Sequence, residues 1–118
     1  MNRVSKKLMP AFNDIEGAIL LVNAIDPQVA TIEIFREAIQ DIPHFMVLNK
    51  VDAVSVVRAQ EITDCFKDEL VIWASVIVKR GINGIRKELA KLPEGQIAVL
   101  GVFNSGKTSL INELTGTY

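Results

Sequence analysis

The chain has 118 residues, which suits one domain, and a formal charge of −1, so no broad basic field points to nucleic acid. With 49% hydrophobic residues it can bury a modest core, and its single cysteine, Cys65, excludes an intrachain disulfide and suits a reducing compartment. No apolar run approaches the roughly 18 residues of a membrane span and no signal peptide is evident, so a soluble, cytoplasmic chain with no membrane partner is expected.

Residues 1–13 form a weakly amphipathic start interrupted by Pro10, with Arg3, Lys6 and Lys7 as a small basic cluster that reads as a solvated end, contact with RNA or an acidic surface being the alternative. Gly17-Ala18-Ile19-Leu20-Leu21-Val22 is a continuous apolar run, as in a parallel strand buried on both faces. Asn23 to Pro27 form the loop at its carboxyl end. Val29, Ile32, Phe35, Ala38 and Ile39 then recur at helical spacing, and Asp41-Ile42-Pro43 stops that helix. His44 reads as a loop residue. Phe45 to Leu48 are a second strand, followed by Asn49 to Asp52 at its carboxyl end. Ser55 can cap a helix through about Glu69, with Val57, Ile62, Phe66 and Leu70 inward and Cys65 packed within it. Leu70 to Ala74 are a third strand, 75–83 a loop, and Gly84 to Leu92 a short helix ended by Pro93. Residues 96–100 are the fourth strand.

Strands alternating with helices imply an α/β fold: a parallel sheet of about four strands with right-handed crossovers and helices on both faces. Ligands in such sheets bind outside the carboxyl ends of the strands. The polar stretches of interest all follow strands.

Gly101-Val102-Phe103-Asn104-Ser105-Gly106-Lys107-Thr108 fits G-x-x-x-x-G-K-[ST], the phosphate-binding P-loop. The apolar run Ile97 to Leu100 precedes it and a helical stretch from Ser109 to Leu114 follows, which is the context the motif requires. Its glycines allow tight turning and close backbone approach, and successive N–H groups at a helix start form an anion nest. Asn104, Ser105, Gly106, Lys107, Thr108 and Ser109 are therefore the candidate phosphate site. Lys107 is the candidate catalytic residue, reaching the β- and γ-phosphates, and the Thr108 hydroxyl is the candidate Mg²⁺ ligand. The alternative is a strand-to-helix turn that binds nothing.

Asn49-Lys50-Val51-Asp52 spells N-K-x-D directly after the second strand. A carboxylate such as Asp52 can accept from both the N1–H and the 2-amino group of guanine, and adenine offers neither donor there. Hydrogen bonds to charged groups contribute about 1.5–3 kcal/mol each, so two lost together give strong discrimination. Asn49 is expected to hold neighbouring loops together and reach the base edge, and the Lys50 stem to lie over the base face. The loop Ser75-Val76-Ile77 closes the other side, where a backbone N–H can donate to guanine O6. A plain polar connection is the alternative for each stretch.

These three motifs resemble the first, fourth and fifth signatures of GTP-binding proteins, with the P-loop last instead of first. That order resembles the circularly permuted GTPases of the YlqF/RbgA ribosome-assembly type. The resemblance spans roughly 17–118. Ala24-Ile25-Asp26-Pro27 is similar to that family's D-A-R-D-P stretch, with Asn23 in place of the leading Asp and Ile25 in place of Arg. The resemblance implies binding of GTP or GDP with Mg²⁺, help from Asn104 in holding K⁺, and ribosomal RNA or a ribosomal subunit as partner. From the residues alone, Asn104 suits a turn with unusual backbone angles. The guanine loop departs from the usual Ser-Ala, reading Ser75-Val76.

The chain ends at Tyr118, so 1–118 is expected to be a single, partial GTPase domain. The family's switch threonine and D-x-x-G would lie beyond, no D-x-x-G able to play that role is visible, and GTP hydrolysis is expected to be very slow. The implied strand order, fourth–first–second–third, leaves the P-loop strand at an edge and predicts self-association through residues 96–101. Competing functions are an interaction protein with a vestigial nucleotide site and a P-loop ATP-dependent enzyme. For the latter, no acceptor-site carboxylate or lid is evident.

Overall fold

The computed structural model describes residues 6–9 and 14–116. The chain runs β1 (Lys6–Met9), β2 (Gly17–Asn23), α1 (Val29–Ala38), β3 (His44–Asn49), α2 (Val56–Asp64), β4 (Val71–Trp73), α3 (Ile82–Lys91), β5 (Gly95–Gly101) and α4 (Lys107–Thr115). The strands form one parallel sheet in the order β1-β5-β2-β3-β4. This is the expected α/β architecture, consistent with a P-loop GTPase-like fold, with one more strand than the apolar runs marked.

The central strand β2 is buried at all seven residues, as an uninterrupted apolar run requires when helices cover both faces. Its side chains alternate between two cores. Ala18, Leu20 and Val22 meet Ile32 and Ile39 from the α1 segment and Ala59, Ile62 and Phe66 from the α2 segment. Ile19 and Leu21 meet Ile82, Ile85 and Leu92 from the α3 segment and Leu110 of α4. The chain therefore winds β2-β3-β4 in one direction, then returns through α3 to lay β5 on the other side of β2. That reversal puts a topological switch point between β2 and β5, where crevices open at the carboxyl rim.

Several expectations are corrected, and one lies outside the described residues. The P-loop strand is not an edge: Lys6 to Met9 pair with Gly95 to Ala98, so β1 takes that position and the basis for self-association through 96–101 is removed. The reading of Arg3, Lys6 and Lys7 as a solvated basic end concerns side chains outside the described residues. In α2 the inward stripe is Ala59, Ile62 and, just past the end, Phe66, whereas Val57 and Leu70 are exposed. The helix stops at Asp64 and tightens into a turn, with Cys65 N–H bonding to the Ile62 carbonyl and Phe66 N–H to that of Thr63. Helical periodicity is lost there, so Leu70 falls outside, and Cys65 is exposed rather than packed.

His44 is the first residue of β3, not a loop residue. Its Nδ1 donates to the Ile42 carbonyl at 2.7 Å and its Nε2 lies 3.0 Å from Glu69, which also accepts from Arg36 Nε at 2.9 Å. This cluster ties α1 and β3 to the segment before β4 at the amino rim. The Arg36 guanidinium is pushed up from its ordinary value, chiefly by its hydrogen bond to Glu33 and then by Glu69.

Candidate guanine-nucleotide site

Four loops meet at the carboxyl rim, those that follow β2, β3, β4 and β5. The turn after β3 begins with Lys50 at φ +69° and coils as a short 3₁₀ turn, Val51–Ala53, which carries Asp52 outward. The loop after β4 is closed by a pair of backbone bonds between Ser75 and Arg80, 3.0 and 2.9 Å long, with Ile77 81% exposed at its tip. Gly81 ends that loop at φ +78°, and a Cβ there would stand 2.4 Å from the Trp73 carbonyl oxygen, so only glycine fits. The glycine-rich loop runs from Gly101 to Gly106 between β5 and α4.

Asn49 joins three of these segments. Buried at the end of β3, its Nδ2 donates to the Ser105 carbonyl at 3.0 Å and its Oδ1 accepts from the Val76 N–H at 3.0 Å. The expected loop-holding role is thus visible in the geometry. Lys50 Nζ donates to the Asn104 carbonyl at 2.7 Å, laying its stem from the end of β3 to the glycine-rich loop. Between these loops lies a cavity of about 210 Å³, lined in part by Asn49, Lys50, Asp52, Ser75, Val76 and Ile77, with Gly106 and Ser109 on its α4 side. It is smaller than the roughly 300–1,000 Å³ of a cleft that engulfs a drug-sized ligand. A flat base fits that scale, with sugar and phosphates outside.

Because Val76 N–H is engaged by Asn49, the N–H groups of this loop with no partner among the described residues are those of Ile77 and Val78, and of the two only Ile77 lines the cavity. Lys107 Nζ donates to the Gly101 carbonyl at 3.0 Å, folded back over its own loop. Thr108 is exposed on the first turn of α4. Gly101 is packed so closely that a Cβ would stand 2.6 Å from Ser105 Oγ and 2.8 Å from the Leu21 carbonyl. Gly106 has φ +100°, and a Cβ there would stand 2.5 Å from Asn49 Nδ2. The loop thus presents bare backbone where a phosphate is expected. Asn104, at φ +67°, adopts the unusual backbone its residue type suggested. Among the described residues no group of three His, Cys, Asp or Glu could hold a metal. A Mg²⁺ held by one hydroxyl, nucleotide phosphates and water needs no such cage.

The sequence reasoning missed two contributors. Ile25 lines the cavity, and Asn23 Nδ2 donates to the Asn104 carbonyl at 3.3 Å. The available signals were their place at the carboxyl end of β2 and their position in the stretch similar to D-A-R-D-P. Asp14-Ile15-Glu16-Gly17 does spell D-x-x-G, but it leads into the amino end of β2, at the opposite rim.

The fold is consistent with a P-loop GTPase-like domain. No family model matches the sequence. The chain is similar to mitochondrial ribosome-associated GTPase 1 of Mus musculus, 32% identical over an alignment 124 positions long that covers 92% of the chain. It is 30% identical, over the same share of its length, to the protein of that name from Bos taurus. It spans 38% and 37% of the length of those relatives. The similarity supports kinship with a GTPase family.

Proposed function

We propose that this chain is the guanine-nucleotide-binding portion of a circularly permuted GTPase, taking GDP or GTP with Mg²⁺. The observation that carries the reading is Asn49, one buried amide tying the N-K-x-D turn, the Ser75 loop and the glycine-rich loop around one cavity. In this reading Asp52 accepts from guanine N1–H and the 2-amino group, and Ile77 N–H donates to O6. Gly106, Lys107 and Thr108 receive the diphosphate and its metal at the start of α4, where backbone N–H groups and the helix dipole favour anions. Lys107 exchanges its bond to the Gly101 carbonyl for the β- and γ-phosphates. Bound Mg²⁺ supplies charge neutralisation, and Thr108 is its protein ligand. Asn104 helps to hold K⁺.

Hydrolysis by these 118 residues alone is expected to be very slow, because phosphoryl transfer also needs water positioning and a γ-phosphate sensor. By likeness to relatives named as ribosome-associated, the partner is a ribosomal subunit or its RNA. The sequence suggests a cytoplasmic setting, whereas those relatives are mitochondrial by name.

Calorimetric titration of GDP, GTP and ADP with Mg²⁺ tests the reading. Guanine nucleotides are expected to bind and ADP not. Equal affinity for ADP and GDP, or binding of neither by a folded chain, would overturn it. Asp52→Asn is expected to weaken GDP binding by roughly 100-fold or more, the loss of two charge-assisted bonds. The same change should improve xanthosine diphosphate, whose C2 oxygen accepts from the new amide.

A further inference from the structure

Two asparagines stand side by side at the carboxyl rim. Asn23 closes β2, Asn49 closes β3, and they are direct partners in the parallel register. Both are buried, and each divides its amide in the same way. Asn49 accepts from one loop and donates to the Ser105 carbonyl. Asn23 Oδ1 accepts from the Ile25 N–H at 2.9 Å, and its Nδ2 donates to the Asn104 carbonyl at 3.3 Å. Consecutive carbonyls of the glycine-rich loop are therefore held by consecutive strands of the sheet, across the β2–β5 switch point.

Peptide planarity makes this grip matter. In a trans unit the C=O and the following N–H point in opposite directions. The Asn104–Ser105 unit is fixed at both ends: its oxygen by Asn23 and Lys50, its N–H by the Val102 carbonyl at 3.1 Å. The next unit has its oxygen held by Asn49, which turns the Gly106 N–H away from the strand ends. Asn104 holds φ +67°, a conformation that persists in a non-glycine residue only when its surroundings impose it.

We propose that Asn23 is a positioning residue for the phosphate site, setting the Asn104–Ser105 unit as Asn49 sets the one after it; this rests on the guanine-nucleotide reading above. In this chain the two bonds use both ends of the amide. One side chain must accept from Ile25 N–H and donate to the Asn104 carbonyl, and a carboxylate, acceptor only, does the first alone. The aspartate that the similar D-A-R-D-P stretch carries here cannot make that second bond. Asn23 also fixes the turn that brings Ile25 to the cavity wall.

The test compares the wild-type chain with Asn23→Asp and Asn23→Ser, using calorimetry with Mg·GDP and with guanosine, and amide hydrogen exchange across 102–108 without nucleotide. Both variants keep an acceptor for Ile25 N–H; Asp has no donor for the Asn104 carbonyl, and the single Ser hydroxyl, one atom shorter, cannot stand in both places, so Ser is the neutral choice should Asp fail to fold. GDP affinity is expected to fall roughly tenfold, the worth of one such bond, guanosine affinity to hold, and exchange across 102–108 to accelerate. Unchanged GDP affinity beside a binding wild type, unchanged exchange, or an equal loss for guanosine would overturn the proposal. A wild type that binds no guanine nucleotide would sink the functional reading instead, and the exchange result would still judge the grip on the loop.

Discussion

Asn49 is the side chain with the most to lose. Its replacement by Ala strands the Val76 N–H and the Ser105 carbonyl, both of which it now partners away from solvent. Leaving a buried polar group unpaired costs about 1–3 kcal/mol, so Asn49→Ala is expected to lower the thermal midpoint by many degrees and to abolish nucleotide binding. Ser105 predicts the opposite sign. Its Oγ is buried with no hydrogen-bond partner among the described residues. Ser105→Ala should therefore stabilise the nucleotide-free chain by about 1 kcal/mol, seen as a midpoint raised by a few degrees. Gly106→Ala drives a Cβ into Asn49 Nδ2 at a left-handed position, and should cost binding while much of the sheet survives. That the N-K-x-D and G-x-x-x-x-G-K-T stretches meet at one rim was legible, because spacing and preceding strands place both at carboxyl ends of the sheet. The role of Asn23 was not, since a bond spanning 81 positions depends on strand order, which no local pattern records.

At the scale of elements, strands written as unbroken apolar runs were readable to within a residue or two. Ser55 was readable as a cap because its Oγ accepts from the Arg58 N–H at 3.0 Å, the short-range bond that residue type favours. Ser55→Ala should lower stability by about 1 kcal/mol, measured by chemical denaturation. The end of α2 was not readable. Val57 and Leu70 share an apolar composition with the true stripe, but the helix yields to a turn before the spacing can bring Leu70 round. Glu69 accepts from Arg36 while facing His44, with its side chain 10% exposed. Removing it should detach the end of α1 from the base of β3. Charge-assisted bonds of this kind contribute about 1.5–3 kcal/mol, so Glu69→Ala should cost about 2 kcal/mol in the same assay.

For the whole molecule, the error in the sequence reading was the outer boundary of the sheet. Residues 6–9, Lys-Lys-Leu-Met, lack an apolar run or a turn signal. They become a strand through backbone hydrogen bonds to β5, a capacity every non-proline residue possesses. The consequence is testable. Deleting residues 1–9 should bare the β5 edge and bring on concentration-dependent association in sedimentation, while the intact chain keeps that edge paired. Leu8 packs against the same core as Ile97 and Val99, so the deletion should also lower the midpoint. The doubly wound plan itself was legible, because alternating strand and helix patterns permit few right-handed arrangements.

One detail lends itself to the bench. Cys65 is the chain's sole cysteine and is exposed just past the end of α2, toward the amino rim and away from the four loops. A maleimide tether placed there would anchor every molecule in a single orientation, with the opposite rim facing the flow. Kinetic sensors or single-molecule traps built this way would meet ligand without obstruction, and would need no engineered attachment point.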